Sequence, residues 1–201
     1  MIRSFLAIVI PAAVLKEINR VQGELKSSRV DVRWVDPEKI HLTLKFFGNI
    51  EESRIEPIAD SIKDSVQTTP PFSLQVSGVG AFPHFKNPRV VWVGLVDKTA
   101  SLIPFQKELE ARLDQIGFPR EDRSFQPHLT LGRAKSSRGK DELVGKMERY
   151  REEKFGEFQV EGLTLFKSEL TPSGPIYTRL KELRLGGTSN ASTNNQAPNP
   201  K

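Results

Sequence analysis

The sequence predicts an α+β protein of two pseudo-symmetric lobes, each built from antiparallel β-strands and two helices, with a cleft between them. Three observations lead there. The tetrapeptide His-Leu-Thr-Leu occurs twice, at residues 41–44 and 128–131. Strand-type and helix-type apolar periodicities follow the same order through each half of the chain. A length of 201 residues, with 37% hydrophobic and 27% charged, suits one soluble globular domain with a substantial core.

In the first half, Arg3 to Ile10 is expected as a buried strand whose apolar run, Phe5 to Ile10, stops at Pro11, which opens a helix. The run is shorter than a usual signal-peptide core. Val14, Leu15, Ile18, Val21 and Leu25 recur at helical spacing. Ile40 to Phe47 is the strand carrying the first repeat, ended by Gly48-Asn49. Ser53 and Glu56 form a capping-box pattern ahead of a helical stripe of Ile55, Ile58, Ala59, Ile62 and Val66, with Pro57 tolerable in the first turn. Phe72 to Val79 alternates as a strand.

The second half repeats this order. Arg89 to Val96 reads as a strand. Ser101 is a candidate cap for a helix that turns Phe105, Leu109, Leu113 and Ile116 inward and ends at Gly117. Ser124 to Arg133 carries the second repeat. Leu143, Val144, Met147 and Tyr150 give a helical stripe, and Phe158 to Phe166 and Ile176 to Leu183 are expected strands. Residues 1–185 therefore form one two-lobed domain, with the motif strands of the two halves facing each other. Residues 186–201 contain no large apolar side chain and are expected to be a disordered tail.

Composition narrows the chemistry. There is no cysteine, which removes disulfides, thiolate metal sites and a thiol nucleophile, and fits a reducing, cytoplasmic location. No segment approaches the roughly 20 apolar residues of a membrane-spanning helix, so no membrane association is expected. The net charge of +5, spread over both halves, permits an anionic partner without demanding one. The densest basic stretch runs from Arg133 to Lys140, directly after the second repeat. It lacks the spacing of a nucleotide-binding P-loop. His41, His84 and His128 lack the short spacing of a zinc site. No metal and no cofactor is expected.

On a strand, residues i and i+2 share a face. Each repeat therefore places an imidazole and a hydroxyl on one face and two leucines on the other. Two such strands across a cleft present one imidazole as base and one as acid, the pair that phosphodiester hydrolysis requires on opposite sides of phosphorus. Thr43, Thr130 and an arginine can hold the non-bridging oxygens. Arg133 is the natural arginine. Strict alternation from His128 would put it on the leucine face, so Gly132 is expected to mark a strand end or bulge that returns it to the cleft. The rival readings are two core strands with satisfied histidines, or a nucleic-acid-binding module without catalysis, in which Phe46, Phe47 and Phe85 stack bases.

The two His-Leu-Thr-Leu motifs, together with Phe5-Leu-Ala-Ile, Lys45-Phe-Phe-Gly48, Gly80-Ala-Phe-Pro83, Pro88-Arg-Val-Val-Trp-Val-Gly94 and Gly132-Arg133, resemble the 2H phosphoesterase superfamily, and within it the RNA 2′,3′-cyclic phosphodiesterases historically called 2′-5′ RNA ligases. The resemblance covers about residues 2–184. It implies a bilobal fold with its active site in the cleft between the lobes. It also implies metal-independent hydrolysis of 2′,3′-cyclic phosphates to 2′-phosphomonoesters, with His41 as proton donor, His128 as proton acceptor, and Thr43, Thr130 and Arg133 as substrate-binding residues. The implied partner is RNA with a 2′,3′-cyclic phosphate end, or a small cyclic or 2′-5′-linked nucleotide. The chain is expected to act as a monomer with no obligate protein partner.

Overall fold

The computed structural model describes residues 1–26, 29–172 and 174–186. The expected tail from 187 onward lies outside the described residues. Gly186 is inside them, and its N–H donates to the Val66 carbonyl.

The elements run β1 (Ile2–Val9), α1 (Ala12–Lys26), β2 (Val32–Trp34), β3 (His41–Ile50), α2 (Ile55–Thr68), β4 (Phe72–His84), β5 (Asn87–Val96), α3 (Leu102–Asp114), β6 (His128–Ala134), α4 (Lys140–Glu148), β7 (Lys154–Val160), β8 (Gly162–Thr171) and β9 (Gly174–Arg184). They form two antiparallel sheets, ordered β3-β1-β8-β9 and β2-β6-β5-β4-β7. Helices α2 and α3 pack together beside the first sheet, with α2 against β9. Helices α1 and α4 cover the second sheet, where α1 meets β7 and α4 meets β4 and β5. The α+β class, the two lobes and two helices per lobe are as expected from the sequence.

The lobes do not coincide with the halves of the chain. β4, from the first half, lies inside the second sheet, and β8 and β9 return to the first. α1 and α3 are likewise exchanged, each packing in the lobe of the other half. The cause is visible in β1, which pairs on one side with β3 and on the other with β8, so the N-terminal strand needs the C-terminal one as its neighbour. A single cluster of buried apolar residues runs through both lobes, from Leu6 and Ile8 through Ile62, Leu74 and Leu129 to Leu165.

Several local expectations are corrected. The expected strand Phe158–Phe166 is two strands parted at Glu161, one in each sheet. At the break Gly162 lies so close to the Leu183 carbonyl that a Cβ would stand 2.5 Å from it. The capping box at Ser53 is absent: a short 3-10 turn, Glu52–Arg54, precedes α2 and no side chain caps it. Ser101 sits at the N-cap of α3 in helical conformation and does not cap it. Asp97 does, accepting from Leu102 N at 2.6 Å. Strand β2 carries too few residues for a periodicity and was not expected.

Candidate active site

Each repeat opens a strand, β3 at His41 and β6 at His128. The two strands show the same burial sequence over six residues: half-buried His, buried Leu, half-buried Thr, buried Leu, a second buried residue, then an exposed one. Two buried residues in succession break strict alternation, and the strand pairing shows how. In β6, Thr130 pairs with Trp92 and Gly132 with Val91, leaving Leu131 as an extra residue. In β3, Thr43 pairs with Ala7 and Lys45 with Leu6, leaving Leu44 as the extra residue. Both repeats therefore end in a β-bulge on their closing leucine. The bulge shifts the phase by one, so exposed Arg133 lies on the face of His128 and Thr130. By the same shift Phe46, 56% exposed, lies on the face of His41 and Thr43.

The bulge carbonyls are bonded from behind by the helices, and Leu131 O also accepts from the Val35 N–H at 2.8 Å. Gln22 of α1 donates to Leu131 O at 2.9 Å and to Val35 O at 2.7 Å. Gln106 of α3 donates to Leu44 O at 3.3 Å. Both glutamines are buried. Beside the first bulge, buried Lys45 pairs with Glu110 of α3 at 2.9 Å and also reaches the Pro119 carbonyl.

The imidazoles are held alike. His41 Nδ1 lies 2.7 Å from Lys39 O, and His128 Nδ1 lies 2.7 Å from Gln126 O. A carbonyl only accepts, so Nδ1 carries the hydrogen in both rings and Nε2 is the nitrogen left for proton transfer. His41 rests on an aromatic floor: its ring stacks on Phe5 at 4.6 Å and meets the edge of Tyr177 at 5.3 Å, with Phe166 behind. His128 meets Phe82 edge-on at 4.9 Å, with Trp92 at 6.3 Å. Burial pushes both imidazoles below the ordinary histidine value, opposed by the carbonyl bonds; for His128 the Arg133 charge lowers it further.

Arg133 links the lobes. Its charge acts on His128 in its own strand and on the Tyr177 hydroxyl of the other sheet, which packs against His41. Burial raises Tyr177 above the usual phenol value, and the charges of Arg3 and Arg133 oppose this. The Thr43, Thr130 and Tyr177 hydroxyls make no hydrogen bond among the described residues. The structure thus brings His41, Thr43, His128, Thr130 and Arg133 to facing strands. It leaves His84 at the exposed end of β4, and among the described residues no group of three His, Cys, Asp or Glu is suited to a metal.

Sequence reasoning missed the floor residues Phe5, Phe166, Tyr177, Phe82 and Trp92, which meet the histidines only through sheet pairing. It also missed Gln22 and Gln106, although each was signalled by a polar residue interrupting an apolar helical stripe.

The model of the 2′-5′ RNA ligase superfamily matches residues 10–172. The chain belongs to the 2′-5′ RNA ligase superfamily. Within it, a protein of Methanothermobacter thermautotrophicus named RNA 2′,3′-cyclic phosphodiesterase is 36% identical over 184 residues, covering 92% of this chain and 99% of that one. A protein of the same name from Methanocaldococcus jannaschii is also 36% identical, over 90% of this chain and 99% of its own. Among solved structures, a Thermus thermophilus protein superposes with a TM-score of 0.78 at 28% identity, covering 92% of this chain and 99% of that one. E. coli LigT complexed with 3′-AMP superposes at 0.73 and 24%, covering 92% and 98%, a likeness of fold.

Proposed function

We propose that this superfamily member hydrolyses the 2′,3′-cyclic phosphate end of RNA to a 2′-phosphomonoester, without metal or nucleotide cofactor, using His41 as acid and His128 as base. The observation that carries this reading is the matched pair of imidazoles, each with Nδ1 tied to the carbonyl two residues back and Nε2 left for chemistry. The names of the full-length relatives support the substrate class.

In the proposed step, His128 Nε2 takes a proton from water as the water oxygen bonds to phosphorus. The P–O3′ bond breaks on the opposite side, and His41 Nε2–H delivers a proton to the departing O3′. The product carries a 2′-phosphate and a free 3′-hydroxyl. Thr43 and Thr130 donate to the non-bridging oxygens, and Arg133 supplies a bidentate, charge-assisted grip on the same phosphate. The apolar floors beneath both rings keep water from the far side of each imidazole. Exposed Phe46 offers a plane to the adjoining base.

The test is direct. RNA ending in a 2′,3′-cyclic phosphate is incubated with the protein in excess EDTA without nucleoside triphosphate, and the product is assigned by phosphorus NMR. A 2′-phosphomonoester is expected. A 3′-phosphomonoester, a requirement for added metal, or no turnover would contradict the reading.

A further inference from the structure

Arg33 is the direct cross-strand partner of Arg133: β2 and β6 pair antiparallel with Val32 opposite Ala134, Arg33 opposite Arg133 and Trp34 opposite Gly132. Residues paired in this way have Cα atoms about 5 Å apart and side chains on the same face. Both arginines are exposed, and neither makes an ion pair with any described residue. Like charges directly opposite in a sheet are destabilising. Here the pair stands on the cleft face and at the sheet edge, since β2 is the outermost strand.

The positive charge continues past the end of β6. A cavity of about 370 Å³ is lined by Arg89, Lys135, Lys140, Ser136, Ser137 and Asn87, among others. Its three cations also make no ion pair among the described residues. Lys135, two residues beyond Arg133 and just past the end of β6, lines the cavity, as does Ala134 between them. The cavity also takes Leu143 from α4, which covers the opposite face of the sheet, so the unneutralised cations pass in one sequence from the arginine pair on the cleft face around the end of β6 to the cavity.

We propose that this sequence is a binding track for the phosphodiester backbone of single-stranded RNA. Arg33 takes the phosphate next upstream of the reacting end, and the cavity of Arg89, Lys135 and Lys140 takes a further one. The inference rests on the cleft receiving an RNA 2′,3′-cyclic end, as set out above. With the reacting phosphate on Arg133 and the next one on Arg33, each guanidinium is neutralised by its own anion and the repulsion between them is relieved. The serine hydroxyls in the cavity are donors of the kind phosphate oxygens accept.

The experiment compares wild type, Arg33→Ala and the triple variant Arg89→Ala/Lys135→Ala/Lys140→Ala on cytidine 2′,3′-cyclic phosphate and on a ten-nucleotide RNA with the same cyclic end. For the RNA, KM should rise about tenfold or more in either variant, from loss of charge-assisted phosphate contacts. The triple variant should treat the mononucleotide as wild type does. Fluorescence anisotropy of a labelled ten-nucleotide RNA reads the track without chemistry. The slope of log affinity against log salt should fall by about 0.7 for each phosphate contact removed. Equal loss on both substrates, wild-type KM for the RNA in both variants, or an unchanged salt slope would overturn the track. If wild type turns over neither substrate, the hydrolytic reading fails, and the anisotropy titration still decides whether the track binds RNA.

Discussion

Gln22 and Gln106 perform the same task in opposite lobes. Each is a buried glutamine on a helix, and each donates its side-chain amide to the carbonyl of a bulged leucine that closes a His-Leu-Thr-Leu repeat, Leu131 and Leu44 respectively. A bulge removes a carbonyl from the regular ladder, and a buried carbonyl left unpaired is costly. At Leu44 the glutamine supplies a donor to the bulge carbonyl, and at Leu131 it adds a second one beside the Val35 N–H. The bulges in turn put Arg133, and opposite it Phe46, on the histidine face.

Gln106→Leu removes the amide donor of Leu44 O, and Gln22→Leu removes that of Val35 O while Leu131 O keeps the Val35 N–H, so each should cost about 1–3 kcal/mol, the penalty of a carbonyl deprived of its donor. Gln22→Leu, which loses the shorter bond to Val35 O at 2.7 Å, should lose more than Gln106→Leu, whose bond to Leu44 O is 3.3 Å. Urea unfolding of the two variants checks the order. A stability equal to wild type in Gln22→Leu would mean that Val35 O finds another donor.

His41→Ala and His128→Ala should each keep the fold, because both rings are only half-buried at strand starts, and each should slow hydrolysis by about 10²–10⁴-fold. The double variant should lose far less than the product of the two, since acid and base act in one step. Single-turnover rates on a cyclic mononucleotide measure this. Near-normal turnover in a folded single variant would remove that histidine from the mechanism.

Both imidazoles are lowered by burial, and this sets the pH behaviour. The acid must hold its proton, so the alkaline limb of kcat/KM should begin below histidine's ordinary value near 6.5. A bound phosphate anion favours the imidazolium, so the alkaline limb of kcat, which reports the complex, should lie higher. Stability follows the same sign. As pH falls below about 6.5, the unfolded chain takes up protons that the folded histidines resist, so the melting temperature should drop on acidification. His41→Gln should flatten that drop. A kcat/KM that keeps rising above pH 8 would contradict the assignment.

Arg133→Lys retains charge and loses the guanidinium fork, so the rate on a cyclic mononucleotide should fall although net charge is unchanged. Arg133→Ala removes a charge that holds His128 down, and the acid limb of the profile should move upward in pH. An unmoved acid limb would show that Arg133 does not face His128 in solution.

Gly132→Ala tests the register of the edge. A Cβ there would stand 2.6 Å from Val32 Cγ1 and 2.9 Å from the Trp34 ring, so β2 must shift. Overpacking of this kind costs about 1–3 kcal/mol. The shift would also part Arg33 from Arg133, so affinity for RNA should fall along with stability. Thermal melts and RNA anisotropy on one preparation check both.

The sequence alone determined the two histidine–threonine strands, all four helices and the two-lobed α+β class. Each follows from periodicity and from a repeated tetrapeptide, which are local properties of the chain. Gly132 beside Arg133 even marked where alternation must fail. The tertiary structure decided which strands are neighbours. It exchanged α1 and α3 between lobes, split the expected strand at Glu161 between two sheets, and brought Phe5 and Tyr177 under His41 and Phe82 under His128. Those choices rest on pairing between segments far apart in sequence. One apolar alternation serves equally well in either sheet until every partner is present, so only the assembled core selects among them.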